Sequence, residues 1–269
     1  MTEAEDFLQE SDALHDLLAP VAEADHVLPT KFKDWTIDNI LQHLHLFNLA
    51  AVHSLKEPER FDELYAELHR KRGGGLSTVV ATDEMLDGVR GKALLRLWRE
   101  GFIRTAAEFS QADPRQRVKW VGPDMSARSS ISARLMETWA HAQAIYDLLG
   151  VVRRNTDRIR SIAMIGINTY EWTFRNRGED VPTPRPHVVL TAPSGAIWQW
   201  NDPSAENRIE GLAEEFCQVV TQVRNIGDTG LAVRGDPATR WMAVAQCFAG
   251  PAQQPPPPGT RGLHTPKAV

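Results

Sequence analysis

Glu137 and His141 stand four residues apart in LMETWAHAQA, residues 135–144, a stretch with almost nothing else charged. On a helix that spacing places carboxylate and imidazole on one face, one turn apart. At about 100° per residue, Ala133, Ala140, Ala144 and Leu148 fall near the same strip. Bulky Leu135, Met136 and Trp139 turn away from it. The helix is apolar on nearly every side, which is how a buried helix reads. A buried carboxylate is costly unless it is paired or bound to a metal. The two residues therefore read either as a contact along the helix, worth about 0.3 kcal/mol on an exposed surface, or as the oxygen and nitrogen ligands of a metal ion. The segment alone leaves both readings open.

A metal needs a third ligand, and a bundle supplies one from a facing helix. DWTIDNILQHLHLFNLAAVH, residues 34–53, offers His43, His45 and His53. Ile37, Ile40, Leu41, Leu44, Phe47 and Ala51 set the apolar side of this helix. His43 and His45 flank that side on opposite borders, so periodicity does not choose between them. Being two apart they face apart, and at most one joins Glu137 and His141 directly. His53 lies nearly opposite the apolar side and reads as solvated.

The elements that must hold these side chains are mostly helical. Apolar spacing and breakers predict helices over Glu3–Ala19, Thr36–Leu55 with Asp34 as a cap, Pro58–Arg72, Asp83–Gln111, from Ser126 or Ser129 to Leu149-Gly150, and Thr156–Arg177. RKRGGG, residues 70–75, marks a loop and lacks the lysine and helix pattern of a phosphate loop. VPTPRPH, 181–187, reads as a proline-rich linker. HVVLTAP and AIWQWN read as a hairpin around Pro193-Ser194-Gly195, with Trp198 and Trp200 on one strand face as core or interface. Ala205–Arg224 is expected as helix, Leu231–Arg234 as a short strand and Pro237–Ala249 as a last helix. The expected division is a helical bundle over 1–178, a small α+β unit over 179–250, and a proline-rich, disordered tail over 251–269.

The whole-chain properties narrow the function classes. The 269 residues fit one large or two small domains. A hydrophobic share of 42% provides a proper core, and a net charge of −5 argues against nucleic acid as partner. Cys217 and Cys247 are too few for a disulfide framework and read as buried hydrophobes. The acidic N-terminus is no signal peptide, and no apolar run approaches the ~18 residues of a membrane helix. A reducing cytoplasm is the expected location.

DWTIDNILQHL resembles the W-T-x-x-(D/E)-x-(I/L/V)-x-H-L signature of DinB-like metalloproteins, closest to the branch containing mycothiol-dependent maleylpyruvate isomerase. MSARSSISARLMETWAHAQAIYDLLG resembles that branch's second signature, an E-x-x-x-H helix, and WVGPDMSA and AQCFAG extend the likeness over most of residues 1–250. By position the resemblance implies a metal triad of His43, Glu137 and His141 on a four-helix bundle. It also implies a sterol-carrier-like α+β C-terminal domain that closes over the metal, and pairing of two copies through the bundle. The ion it implies is zinc, with nickel or iron in some members, and a low-molecular-weight thiol is a candidate cosubstrate. His45 and Asn48 depart from the subgroup pattern. His45 is a candidate proton carrier at the pocket rim, and Arg240 or Arg234 is a candidate counterpart of a C-terminal-domain arginine. The expected function is a metalloenzyme acting on a small organic acid or thiol-containing substrate, of thiol-dependent isomerase or transferase type. A metal-water hydrolase or lyase, and a non-catalytic metal- or ligand-binding protein, are the alternatives.

Overall fold

The computed structural model describes residues 1–262. The acidic N-terminal run forms α1 (Thr2–Leu18), whose Phe7, Leu14 and Leu18 are buried at helical spacing. The next helix, α2 (Ile37–Lys56), is capped by Thr36 and not by the expected Asp34. Thr36 Oγ1 accepts from Asn39 N at 3.1 Å and Asn39 Oδ1 accepts from Thr36 N at 3.1 Å, a reciprocal cap that satisfies orphan donors. Asp34 instead sits with Lys33 in the left-handed turn before it, at φ 57° and 53°.

Two further helices follow, α3 (Pro58–Gly73) and α4 (Thr78–Met85), before α5 (Gly91–Gln111). The single helix expected over 83–111 is therefore broken. Asp87 and Gly88 adopt left-handed conformations, φ 51° and 66°, which no α-helix continues. The buried Asp38 of α2 fixes the restart, accepting from Gly91 N at 2.9 Å and lying 3.2 Å from the Nδ1 of buried His26. A two-stranded ladder, β1 (Arg117–Val118) antiparallel to β2 (Met125–Ser126), leads into α6 (Ala127–Leu148). Ser126 Oγ accepts from Ser129 N at 3.1 Å at the start of α6. Helices α1 and α2 each pack against both α5 and α6, giving a four-helix bundle. Its core includes Ile40, Leu44, Trp98, Phe102, Leu135 and Trp139, all fully buried.

The chain divides into two compact units at Leu148–Leu149, not after residue 178. The helix expected over 156–177 is a 3-10 turn followed by α7 (Arg160–Asn168) and α8 (Tyr170–Arg175), ended by Gly178 at φ 71°. These helices lie in the second unit because their apolar faces find partners there. The partner of α7 is α9 (Ala213–Val220), and that of α8 is α10 (Asp236–Val244). The expected hairpin is present as β3 (His187–Thr191) and β4 (Ile197–Trp200). The start of the segment expected as helix from 205 is instead β5 (Arg208–Leu212), drawn into the sheet by parallel pairing with β3. The last strand, β6 (Ala232–Arg234), completes the order β4-β3-β5-β6.

The stretch from 251 to 262 is irregular but tied down, where a disordered tail was expected. Gln253 O accepts from Gln222 Nε2 at 3.0 Å and from Arg177 Nη2. Pro256 O accepts from Asn225 Nδ2 at 2.9 Å, and Arg261 Nη1 donates to Gln222 O at 2.7 Å. The rest of that expectation, residues 263–269, lies outside the described residues. Both cysteines are buried, as their apolar surroundings imply. Among the described residues no helix is long and apolar enough to cross a membrane.

Candidate metal centre

Helices α2 and α6 pack so that His43 faces the Glu137–His141 strip. His43 Nε2 lies 3.2 Å and His141 Nε2 3.3 Å from the same carboxylate oxygen, Glu137 Oε2. Each of the three offers one ligand atom, and these atoms all lie within 4.8 Å of one another. Ligands held about 2.0–2.1 Å from a tetrahedral ion stand about 3.3–3.4 Å apart, and the two nitrogen–oxygen spacings match that separation. The two-nitrogen, one-oxygen donor set suits zinc, nickel and iron alike.

The surroundings hold His43 and Glu137 in the form a metal would need. Burial lowers the His43 imidazole to about 4, overriding the hydrogen bond to Glu137, so it is neutral at pH 7. For Glu137, burial raises the carboxyl, but the contacts with His141 and His43 outweigh it and hold the group well below the usual carboxylate range. Aromatic rings fix the imidazoles. Trp35 stacks on His141 at 5.7 Å and 2°, Phe32 meets His141 edge-on at 4.9 Å, and Phe47 lies 4.8 Å from His43. Side-chain exposures of 14%, 22% and 12% for His43, Glu137 and His141 leave the trio partly accessible to solvent.

The other histidines go elsewhere. His45 points away from the trio and packs on α5, where a Cβ on Gly101 would come within 2.8 Å of its Nδ1. It is 4% exposed, with Nδ1 lacking a hydrogen-bond partner, so it is a core side chain here and not a rim group. Gly101 makes the room it occupies. His53 is half-buried beside Glu57, not solvated. Arg240 belongs to the second unit, 3.4 Å from Glu179 and over the Phe174 ring, and Arg234 lies exposed on β6.

Burial alone lowers the His45 imidazole to about 4. The unfolded chain therefore binds this proton first. The stability held by neutral His45 is complete above pH 6.5 and is lost as pH falls from there to about 4. A shift of that size corresponds to about 3 kcal/mol as an upper figure. Denaturant midpoints measured across that window should fall less steeply for His45→Leu than for the unsubstituted chain. Parallel profiles would show that His45 is not the proton acceptor.

Arg134 is the site neighbour that periodicity did not single out. The available signal was a charge between Ala133 and Leu135 on a helix with few other charges. It lies one turn before Glu137 and is buried.

A helical bundle carrying His43, Glu137 and His141, followed by a small α+β unit, defines the DinB-like, maleylpyruvate isomerase-like superfamily fold. The sequence profile described as "Mycothiol maleylpyruvate isomerase N-terminal domain" matches residues 7–146, and the chain belongs to that family. Uncharacterized proteins from two strains of Mycobacterium tuberculosis are each 36% identical to it over 246 residues, covering 91% of this chain and 95% of theirs. The crystal structure of the mycothiol-dependent maleylpyruvate isomerase matches the fold with a TM-score of 0.51 at 16% identity. That match covers 81% of this chain and 87% of the isomerase.

Proposed function

We propose that this protein is a divalent-metal enzyme acting on a small organic acid or thiol-containing substrate, of thiol-dependent isomerase or transferase type. The observation that carries this reading is the meeting of His43 and His141 on one oxygen of Glu137. Membership of a family whose profile is named for a mycothiol-dependent isomerase supports the thiol.

His43, Glu137 and His141 would hold the ion, zinc by preference and nickel or iron as alternatives. Three protein ligands leave coordination positions free for a substrate. Bound there, the ion would keep a coordinating thiol deprotonated near neutral pH. The chain's own residues do the rest. Neutral His43 offers its nitrogen without first losing a proton. Glu137 contributes a fixed negative charge, and Phe32, Trp35 and Phe47 wall the imidazoles against water. A thiol cosubstrate fits a reducing cytoplasm, where we place the protein.

The test is elemental analysis of the purified protein. One tightly held equivalent of a transition metal is expected, followed by screening of thiol-dependent isomerisation. No metal after zinc, nickel and iron are offered under reducing conditions would leave the trio as a structural cluster and end the enzyme reading.

A further inference from the structure

Arg134 is 1% exposed, and a buried guanidinium is expensive without a counter-charge. Among the described residues it forms no ion pair. Nε donates to Asn48 Oδ1 at 3.0 Å, and Nη2 reaches Leu44 O at 3.5 Å, the far edge of hydrogen-bond range. Its Cζ lies 5.9 Å from the Phe47 ring, which also meets His43 at 4.8 Å. Asn48 is itself buried with Nδ2 unpartnered, so this corner of the bundle has a donor and a cation in excess. The acid whose charge reaches Arg134 is Glu137.

The charged groups that reach His43 and Glu137 are each other, His141 and Arg134. Arg134 and Glu137 cancel. A divalent ion on the trio then leaves two positive charges, and among the described residues Glu137 is the acid whose charge acts on His43 and Arg134. We propose that Arg134 is the anion-selecting charge of this site, so that the loaded centre takes a ligand bearing two negative charges, such as a thiolate and a carboxylate in one molecule. This rests on the metal reading above. Buried as it is, Arg134 acts through space as a positioning residue. It repels the cation and attracts the anion.

Those opposite signs separate the proposal from a merely structural role, since a loosened fold weakens both affinities together. The probes are Co2+, titrated against a chelator, and 4-mercaptobutanoate compared with 4-mercaptobutanol, followed by the thiolate-to-cobalt absorption. Arg134→Met should tighten Co2+ by about tenfold and weaken 4-mercaptobutanoate by about tenfold, the response to one charge about a turn away at protein-like dielectric. Arg134→Lys should keep both affinities near those of the unsubstituted protein. In that unsubstituted protein, which sidesteps any folding defect, 4-mercaptobutanoate should bind about tenfold more tightly than the alcohol. Equal binding of the two thiols, or parallel loss of cobalt and thiol in Arg134→Met, would overturn the proposal while leaving the metal site standing. Failure of the unsubstituted protein to bind Co2+ would remove the metal reading and this proposal with it.

Discussion

Alanine at His141 should abolish the proposed stoichiometric metal binding while the chain stays folded. Even the loss of a group that only orients a ligand lowers metal affinity by about 10–100-fold, and loss of a ligand should exceed that. The fold should survive because His141 is partly exposed and packs on Trp35 and Phe32, apart from the fully buried residues of the core. Removing it forfeits ring contacts worth about 1 kcal/mol beyond the buried area. His43→Ala should do the same from the other helix. Its effect is the more telling because His43 is far from Glu137 in sequence and joins it only through α2–α6 packing. Metal content by elemental analysis, read beside helical circular dichroism, checks both variants. A full equivalent retained in either one would remove that residue from the ligand set.

Alanine at Gly235 should cost about 3 kcal/mol or more, from a left-handed penalty of about 1–2 kcal/mol and an overpacking cost of about 1–3 kcal/mol. Gly235 joins β6 to α10 at φ 86° and ψ 154°. A Cβ there would collide with Glu206 O and approach Asn207 Cα to 3.0 Å. Asn207 cannot yield cheaply. Its carbonyl accepts from His187 N at 2.9 Å, its Nδ2 donates to Pro184 O at 2.9 Å, and its Oδ1 accepts from Ala238 N at 3.2 Å. The strands, the linker and α10 all meet at this residue. Gly195, at φ 87° with nothing within 4 Å of an added Cβ, is the control that isolates the conformational part. Thermal melts should show a fall of about 6–12 °C for Gly235→Ala and a much smaller one for Gly195→Ala. Metal content should be unchanged, because all three proposed ligands lie in the first unit. Equal shifts for the two alanines would show that the close approach to Glu206 is not limiting.

The sequence by itself determined what depends on local geometry. Four-residue spacing put Glu137 and His141 on one face whatever α6 packed against. Pro58, Gly178 and the Pro193-Ser194-Gly195 turn ended or reversed their elements through backbone preferences that need no partner. The resemblance then pointed to His43, and with it to the triad. The tertiary structure decided what depends on which element lies alongside. His43 and His45 border the same apolar side of α2, and only the positions of α6 and α5 send the first to Glu137 and the second into the space left by Gly101. Arg208–Leu212 became a strand because β3 offered it a parallel partner, and five residues alone carry too little alternation to announce one. The break at Asp87-Gly88 was hidden because α4 and α5 are each helical, and the anchor that restarts the chain is Asp38, far away in sequence. Arg134 was visible as a charge between Ala133 and Leu135, but packing decided that it would be buried with Glu137 as the acid whose charge reaches it.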